Sequence, residues 1–260
     1  MITPLSITAL ILAYLCGSIP TAVWIGQAFF NIDVREYGSG NAGATNTFRV
    51  LGKKAGIPVM LLDILKGWTA TNLAFMIGIT TTGAYHSVPF TNYQLALDIA
   101  AVMGHLFPVF AGFRGGKGIA TLFGMILAVN LPAALLCVSV FIVVLLITRY
   151  VSLGSIMAGF TYPIGVTFIF PTYIKSVIIY GMCMCLLILV THQKNIERLL
   201  KGRESKVNFF QEKSRLTTWS RLTQNFKNSF GLEQAFFILL FGISMIGNSA
   251  ACLERQILFC

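Results

Sequence analysis

The sequence predicts an all-α integral membrane protein: a polytopic bundle of about seven transmembrane helices with an active site on its cytoplasmic face. Three observations predict it. First, 56% of the 260 residues are hydrophobic and 11% charged, with mean hydropathy +0.77. A soluble domain carries about 25% charged residues, so most of this surface must face lipid. Second, apolar runs long enough to cross roughly 30 Å of hydrocarbon recur along the chain. Third, the net charge of +10 is gathered between those runs. In a polytopic membrane protein such an excess reports anionic lipid, anionic substrate and the positive-inside bias rather than nucleic acid.

The first run, about 4–29, has no basic residue before it and exceeds the apolar core of a signal peptide, so it reads as a retained span. Further runs lie at about 57–79, 93–111, 132–148, 153–171 and 174–192. A shorter one, about 119–130, is set off by Asn130, Leu131 and Pro132 and reads as a short span or a re-entrant half-helix. Basic residues cluster after the first run (Arg35, Arg49, Lys53, Lys54), after the third (Arg114, Lys117) and after the last (Lys194, Arg198, Lys201, Arg203, Lys206). Positive-inside reasoning puts all three clusters in the cytoplasm and the amino terminus outside. An even number of crossings must then join Lys117 to Lys194. Two would leave about 75 mostly apolar residues for two helices, whereas four also bring Arg149 to the cytoplasmic side. Seven spans is the preferred count and five the alternative.

Residues 1–206 therefore read as the membrane domain and 207–260 as a basic, partly apolar extension. Within it Leu216, Trp219, Leu222 and Phe226 follow helical spacing, as in a surface-lying amphipathic segment. Ala235 to Gly247 is either a marginal span or an interfacial helix. Of the cysteines, Cys16, Cys137, Cys183 and Cys185 lie inside apolar runs and read as packing residues; with Cys252 and Cys260 they imply no disulfide framework and no metal site.

Three polar segments fall on one face. In Gly38-Ser39-Gly40-Asn41-Ala42-Gly43-Ala44-Thr45-Asn46, followed by Arg49, the glycines let the backbone turn tightly, while Ser39, Asn41, Thr45 and Asn46 add hydrogen-bonding groups and Arg49 a fixed charge. In Gly104 to Gly118, Gly115, Gly116 and Gly118 flank Lys117 after Arg114, the composition of a phosphate cradle, with His105 near the end of the preceding span. A Walker A loop is excluded, because Ala111 and Gly118 stand where it needs glycine and Ser or Thr. In His192 to Lys206, His192 and Asn195 share a helical face where the apolar run meets water, and Lys201, Arg203 and Lys206 read as a cytoplasmic anchor. Inside the second run, Asp63 and Lys66 stand three apart and read as a structural ion pair; Asp98 is left unassigned. No carboxylate cluster suits magnesium, no G-x-S-x-G elbow occurs, and no histidine is followed by aspartate five residues on.

With these segments, GSGNAGATNTFR (38–49), GHLFPVFAGFRGGKGIAT (104–121) and HQKNIERLLKGRESK (192–206), the chain resembles the acyl-phosphate-dependent glycerol-3-phosphate acyltransferases of the bacterial PlsY type. Residues 152–156 also look like a family segment. The resemblance covers about 4–206 and has no counterpart for the extension. It implies a seven-span bundle in the bacterial inner membrane, without metal or organic cofactor, that acylates the 1-hydroxyl of glycerol 3-phosphate from acyl phosphate. The products would be lysophosphatidic acid and phosphate, in the first step of phospholipid synthesis. It further implies that Ser39, Arg49, Lys117, His192 and Asn195 form the catalytic set. Gly38, Gly40, Asn41, Gly43, Thr45, Asn46, Gly115, Gly116, Gly118, His105 and Ser155 would bind substrate or phosphate, and Glu204 would be structural. No nucleic-acid partner is implied, and the oligomeric state is open. A phosphate-ester transporter is the competing reading, but it should show inverted repeats with broken spans near the midplane, whereas here the polar segments gather at one face.

Overall fold

Residues 3–81 and 87–207 are described in this computed structural model, with the side chains of residues 76–81 outside the description. The amphipathic and apolar readings of the extension, and Cys252 and Cys260, lie outside the described residues. Among these residues ten α-helices and no strand occur. They are α1 (Pro4–Gly17), α2 (Thr21–Phe30), α3 (Ala44–Leu51), α4 (Lys53–Thr81), α5 (Val88–Leu106), α6 (Ile119–Val129), α7 (Leu131–Thr148), α8 (Val151–Ile164), α9 (Lys175–Thr191) and α10 (Gln193–Leu200).

The helix boundaries follow local chemistry. Thr3 and Ser6 form a reciprocal cap at the start of α1, and Ser87 and Asn130 cap α5 and α7, each with proline in the first turn, where its missing amide is harmless. The first apolar run is not one straight span. It bends by 42° between α1 and α2, at Ser18-Ile19-Pro20, because proline lacks an amide and disfavours helical geometry in the residue before it.

Among the described residues three segments are long and apolar enough to cross a membrane, Val88–Ala111, Leu131–Thr148 and Val151–Ile169, and the count rises to five if each of two bent pairs is one span. The pairs are α1 with α2 and α9 with α10, the latter bent by 63°. The expected seven would need α4 and α6 as well. α4 carries Lys53, Lys54, Asp63 and Lys66 along its 29 residues, and α6, at 11 residues, is only about 16 Å long. The outward faces are apolar, as in Leu61, Leu135, Leu146, Ile147 and Leu186, which suits lipid and would be a liability in water.

α4 packs against α1, α3, α5 and α6. Small residues let it come close: a Cβ on Gly67 would lie 2.0 Å from the Thr121 carbonyl oxygen, and one on Gly124 1.8 Å from that of Ile64. One buried cluster, including Ala13, Ala70, Phe90 and Leu97, joins α1, α4 and α5. A second, including Val102, Leu122, Met125, Tyr162, Tyr180 and Ile188, joins α5, α6, α8 and α9. Asp98, fully buried, accepts a hydrogen bond from the Tyr180 hydroxyl and so ties α5 to α9. At the polar end, the Val207 amide donates to the Arg149 carbonyl (2.8 Å) and Lys206 lies over the Tyr150 ring. The α7–α8 turn therefore lies at the same end of the bundle as the third polar segment, the arrangement expected if four crossings join Lys117 to Lys194.

Candidate active site

The third segment turns back on itself because of Gly202. Its φ of +64° is open to glycine at little cost, and the Arg203 amide bonds back to the Arg198 carbonyl (2.8 Å), a helix-ending motif. Glu204 is thereby folded under α10 and buried. Its carboxylate accepts from the Asn195 amide (2.7 Å), the Ser152 hydroxyl on α8 (2.9 Å) and Arg198 Nε (2.7 Å). Burial alone would raise this carboxyl, but those three donors outweigh it and hold Glu204 below the usual range. With its NH₂ group fixed on Glu204, Asn195 turns its Oδ1 to Lys117, whose ammonium donates to it.

Lys117 is the charge at the middle of the site. Burial first, then the positive charges of Arg198 and Arg49, lower its pKa from 10.5 to about 8, with Glu204 opposing. An added anion would relieve that repulsion. His192 is buried at the α9–α10 break. Its Nδ1 donates to the Ile188 carbonyl (2.9 Å), so in the neutral ring Nε2 is the acceptor nitrogen.

The first segment is partly loop and partly helix: 44–51 form α3, so Thr45 and Arg49 lie on its exposed side. Gly38 and Gly40 take positive φ (63° and 73°) in the turn before it, and Gly43 caps α3, with Asn41 against it. Asn46 is buried and committed to the loop: its NH₂ donates to the Val34 and Tyr37 carbonyls (2.8 and 3.0 Å), while its Oδ1 accepts from the Ser39 amide (2.8 Å) and hydroxyl (3.1 Å). Asn46 thus shapes the turn that presents Ser39.

In the second segment the amides of Gly115 and Gly116 donate to the carbonyls of Leu106 and His105 (3.2 and 3.1 Å). A Cβ on Gly116 would sit 2.1 Å from His105 Nε2 and 3.1 Å from the Ala42 carbonyl oxygen. Close packing on His105 and on the first segment is what these two positions require. Gly118 (φ +79°) turns the chain into α6. His105 is buried, 3.2 Å from the Thr121 hydroxyl and 3.9 Å from Asp63. Asp63 and Lys66 form the expected ion pair at 2.7 Å. Asp63 also accepts from Thr21 (2.7 Å), and Lys66 donates to the Ile19 carbonyl (3.0 Å), locking α4 to the bend in the first run. A small crevice lined by Lys66, His105, Ala42, Gly115 and Gly116 lies between the two glycine-bearing segments.

The structure thus joins Lys117, Asn195 and Glu204 directly, with Arg49 and His192 close enough to act on Lys117 or feel it electrostatically. Ser39 sits in its own exposed turn. Ser155 is buried and bonded within its helix to the Val151 carbonyl (3.0 Å); its neighbour Ser152 is the α8 residue that reaches Glu204. Sequence reasoning missed Ser152 and Arg198 as partners of Glu204. Helical spacing offered a signal for Arg198, three residues after Asn195; for Ser152 no local signal exists, since the contact spans 52 residues.

Fold and site together define a polytopic helical membrane protein with a cluster of cationic side chains around Lys117 at one end of its bundle. Comparison with known proteins makes the class specific. The family model described as glycerol-3-phosphate acyltransferase matches residues 7–202. The chain is 42% identical over 207 residues to the glycerol-3-phosphate acyltransferase of Enterococcus faecalis, covering 77% of this chain and 91% of that one. It is 38% identical over 233 residues to that of Chlorobium phaeobacteroides, covering 80% and 98%. The crystal structure of PlsY (YgiH), an integral membrane glycerol 3-phosphate acyltransferase in its glycerol 3-phosphate form, aligns with a TM-score of 0.70 at 37% identity, over 79% of this chain and 99% of that one. Its lysophosphatidic acid form aligns with a TM-score of 0.66. The chain belongs to the glycerol-3-phosphate acyltransferase family.

Proposed function

We propose that the protein transfers a fatty acyl group from acyl phosphate to the 1-hydroxyl of glycerol 3-phosphate, at the cytoplasmic face of a bacterial inner membrane, with its amino terminus outside. The observation that carries this is the half-buried Lys117 ammonium, held by Asn195 on Glu204 and crowded by Arg198 and Arg49. Both substrates bring a phosphate dianion, and both are solved by charge. In the reaction the glycerol hydroxyl oxygen bonds to the acyl carbonyl carbon, the bond from that carbon to the phosphate oxygen breaks, and the electron pair leaves with phosphate. Lys117 and Arg49 would hold the departing phosphate and offset its growing charge. His192 Nε2 and Ser39 Oγ would orient the acceptor, while Asn195, Glu204 and Ser152 keep Lys117 in place.

The two carboxylates built into the polar end are already occupied, Glu204 by three donors and Asp63 by Lys66 and Thr21, so neither is free to take the hydroxyl proton. The departing phosphate would accept it. A narrow apolar groove between α6, α8 and α9, lined by Leu122, Met125, Met184 and Ile188 among others, begins at Ile188, the residue bonded to His192, and would guide the acyl chain towards the site.

Purified protein in nanodiscs, given palmitoyl phosphate and glycerol 3-phosphate, should form 1-acyl lysophosphatidic acid and release one phosphate per product. Phosphate-ester uptake into vesicles with no acylated product would overturn the reading in favour of transport. A pH profile that tracks a histidine alone and disappears in His192→Ala would contradict phosphate as the base.

A further inference from the structure

The stretch between α2 and the first glycine-rich turn has no part in the reaction as set out above, yet both cationic segments are tied to it. Val34–Glu36 form one turn of 3₁₀-helix, capped by Asp33, whose carboxylate accepts from the Arg35 amide (2.9 Å). The Arg35 guanidinium then folds back on the same carboxylate, with Nε 3.0 Å from both oxygens and Nη2 2.6 Å from Oδ2. This leaves Nη1 aimed at the second segment, where it donates to the carbonyls of Ala111 (2.7 Å) and Arg114 (3.3 Å), 76 and 79 residues away in sequence. Those carbonyls bracket Gly112 and Phe113, both at positive φ (62° and 59°). Phe113 is not a glycine, so this turn is strained and depends on outside contacts to hold its shape.

The other side of the same turn carries the first segment. The Val34 and Tyr37 carbonyls receive the Asn46 amide, and Asn46 receives Ser39. Ser39 and Lys117 have no bond to each other, but each is at most a few links from residues 34–37. We infer that Arg35 is a positioning residue that sets the register of the Lys117 segment against the Ser39 segment. This rests on the acyl-transfer reading above. Each segment alone can still attract a phosphate when Arg35 is lost, but the transition state needs both in one geometry, and a misplacement of about 1 Å can cost about 100-fold in rate. Lysine does not replace it, because a single ammonium cannot grip a carboxylate in two places and still reach a second loop.

The test compares wild type, Arg35→Ala and Arg35→Lys in nanodiscs by steady-state kinetics and by amide hydrogen exchange. Arg35→Ala should lower kcat about 10- to 100-fold and leave KM for each substrate within about threefold, since ground-state binding survives. Arg35→Lys should remain at least about 10-fold down. Amides of residues 109–118 should exchange faster in both variants, while those of 193–200 should not change. If Arg35→Ala fails to fold, Arg35→Lys carries the test with the same expectations. Wild-type kcat in either variant, or lost activity with unchanged exchange in 109–118, would overturn the inference. The exchange measurement needs no substrate, and the wild-type rate is read first, so a failure of the acyl-transfer reading is told apart from a failure of this one.

Discussion

At the scale of single residues, the site is organised around a lysine that is costly to keep charged. Burial and two arginines lower Lys117 to about 8, so the free protein holds it protonated below that pH and loses the charge above it. If Lys117 holds phosphate as proposed, it does so in the protonated form, and kcat/KM should fall as pH rises through about 8. Bound phosphate favours the charged lysine, which should move the corresponding limb in kcat to higher pH. In Lys117→Arg the charge persists across the range, so the limb near 8 should vanish from the kcat/KM profile whatever the absolute rate. A limb that stays in place would assign it to another group. Glu204 makes a second residue-level expectation. Glu204→Ala removes the acceptor of Asn195, Ser152 and Arg198 together, and leaving buried donors unpaired costs roughly 1–3 kcal/mol. It should lower the melting temperature in detergent and reduce activity through a displaced Asn195, without changing which substrates are used.

At the scale of elements, α4 and α6 meet backbone to backbone beside the polar end of the bundle. Thr121, which bonds His105, and Gly124 lie on the face of α6 that meets Gly67 and Ile64 on α4. Helices in lipid associate through such small residues. A Cβ at Gly124 has no space, since the nearest atom is backbone at 1.8 Å. Gly124→Leu should therefore separate the helices, cost roughly 1–3 kcal/mol or more, and lower both folded yield and turnover; a melting curve unchanged from wild type would refute the contact.

The elements themselves were largely readable from the chain. The apolar runs return as α1–α2, α4, α5, α6, α7, α8 and α9 with ends shifted by a few residues, and the break at Asn130-Leu131-Pro132 separates α6 from α7 as its composition implies. The bend at Pro20 was not read, because hydrophobicity runs through it without interruption. Helix α3 was hidden because Gly38 to Asn46 has a loop's composition, although 44–51 form a helix packed on α4. At the site, Lys117, His192 and Asn195 were legible as polar residues at the ends of apolar runs. The roles of Asn46 and Gly116 were not, because both are set by internal packing, Asn46 on the Val34 and Tyr37 carbonyls and Ser39, and Gly116 against the His105 ring. The contacts of Arg35 with Ala111 and Arg114 and of Ser152 with Glu204 were not legible for a different reason: these partners lie far away in sequence, and no periodicity reports that.

At the scale of the molecule, three polar segments separated by long apolar helices are brought to one end of a bundle whose flanks are suited to lipid. A water-soluble phosphate ester can reach such an end from one side, and an acyl chain can reach it from the bilayer. Nothing in the chemistry of the site demands a donor other than one carrying its own phosphate. The most direct measurement is donor choice in one assay. Protein in nanodiscs is given glycerol 3-phosphate with palmitoyl phosphate or palmitoyl-CoA, and lysophosphatidic acid and inorganic phosphate are counted for wild type and Lys117→Met. The account predicts product only from palmitoyl phosphate, one phosphate released per acyl transferred, and loss of both in Lys117→Met. Product from palmitoyl-CoA at the same rate, or undiminished transfer in Lys117→Met, would contradict it.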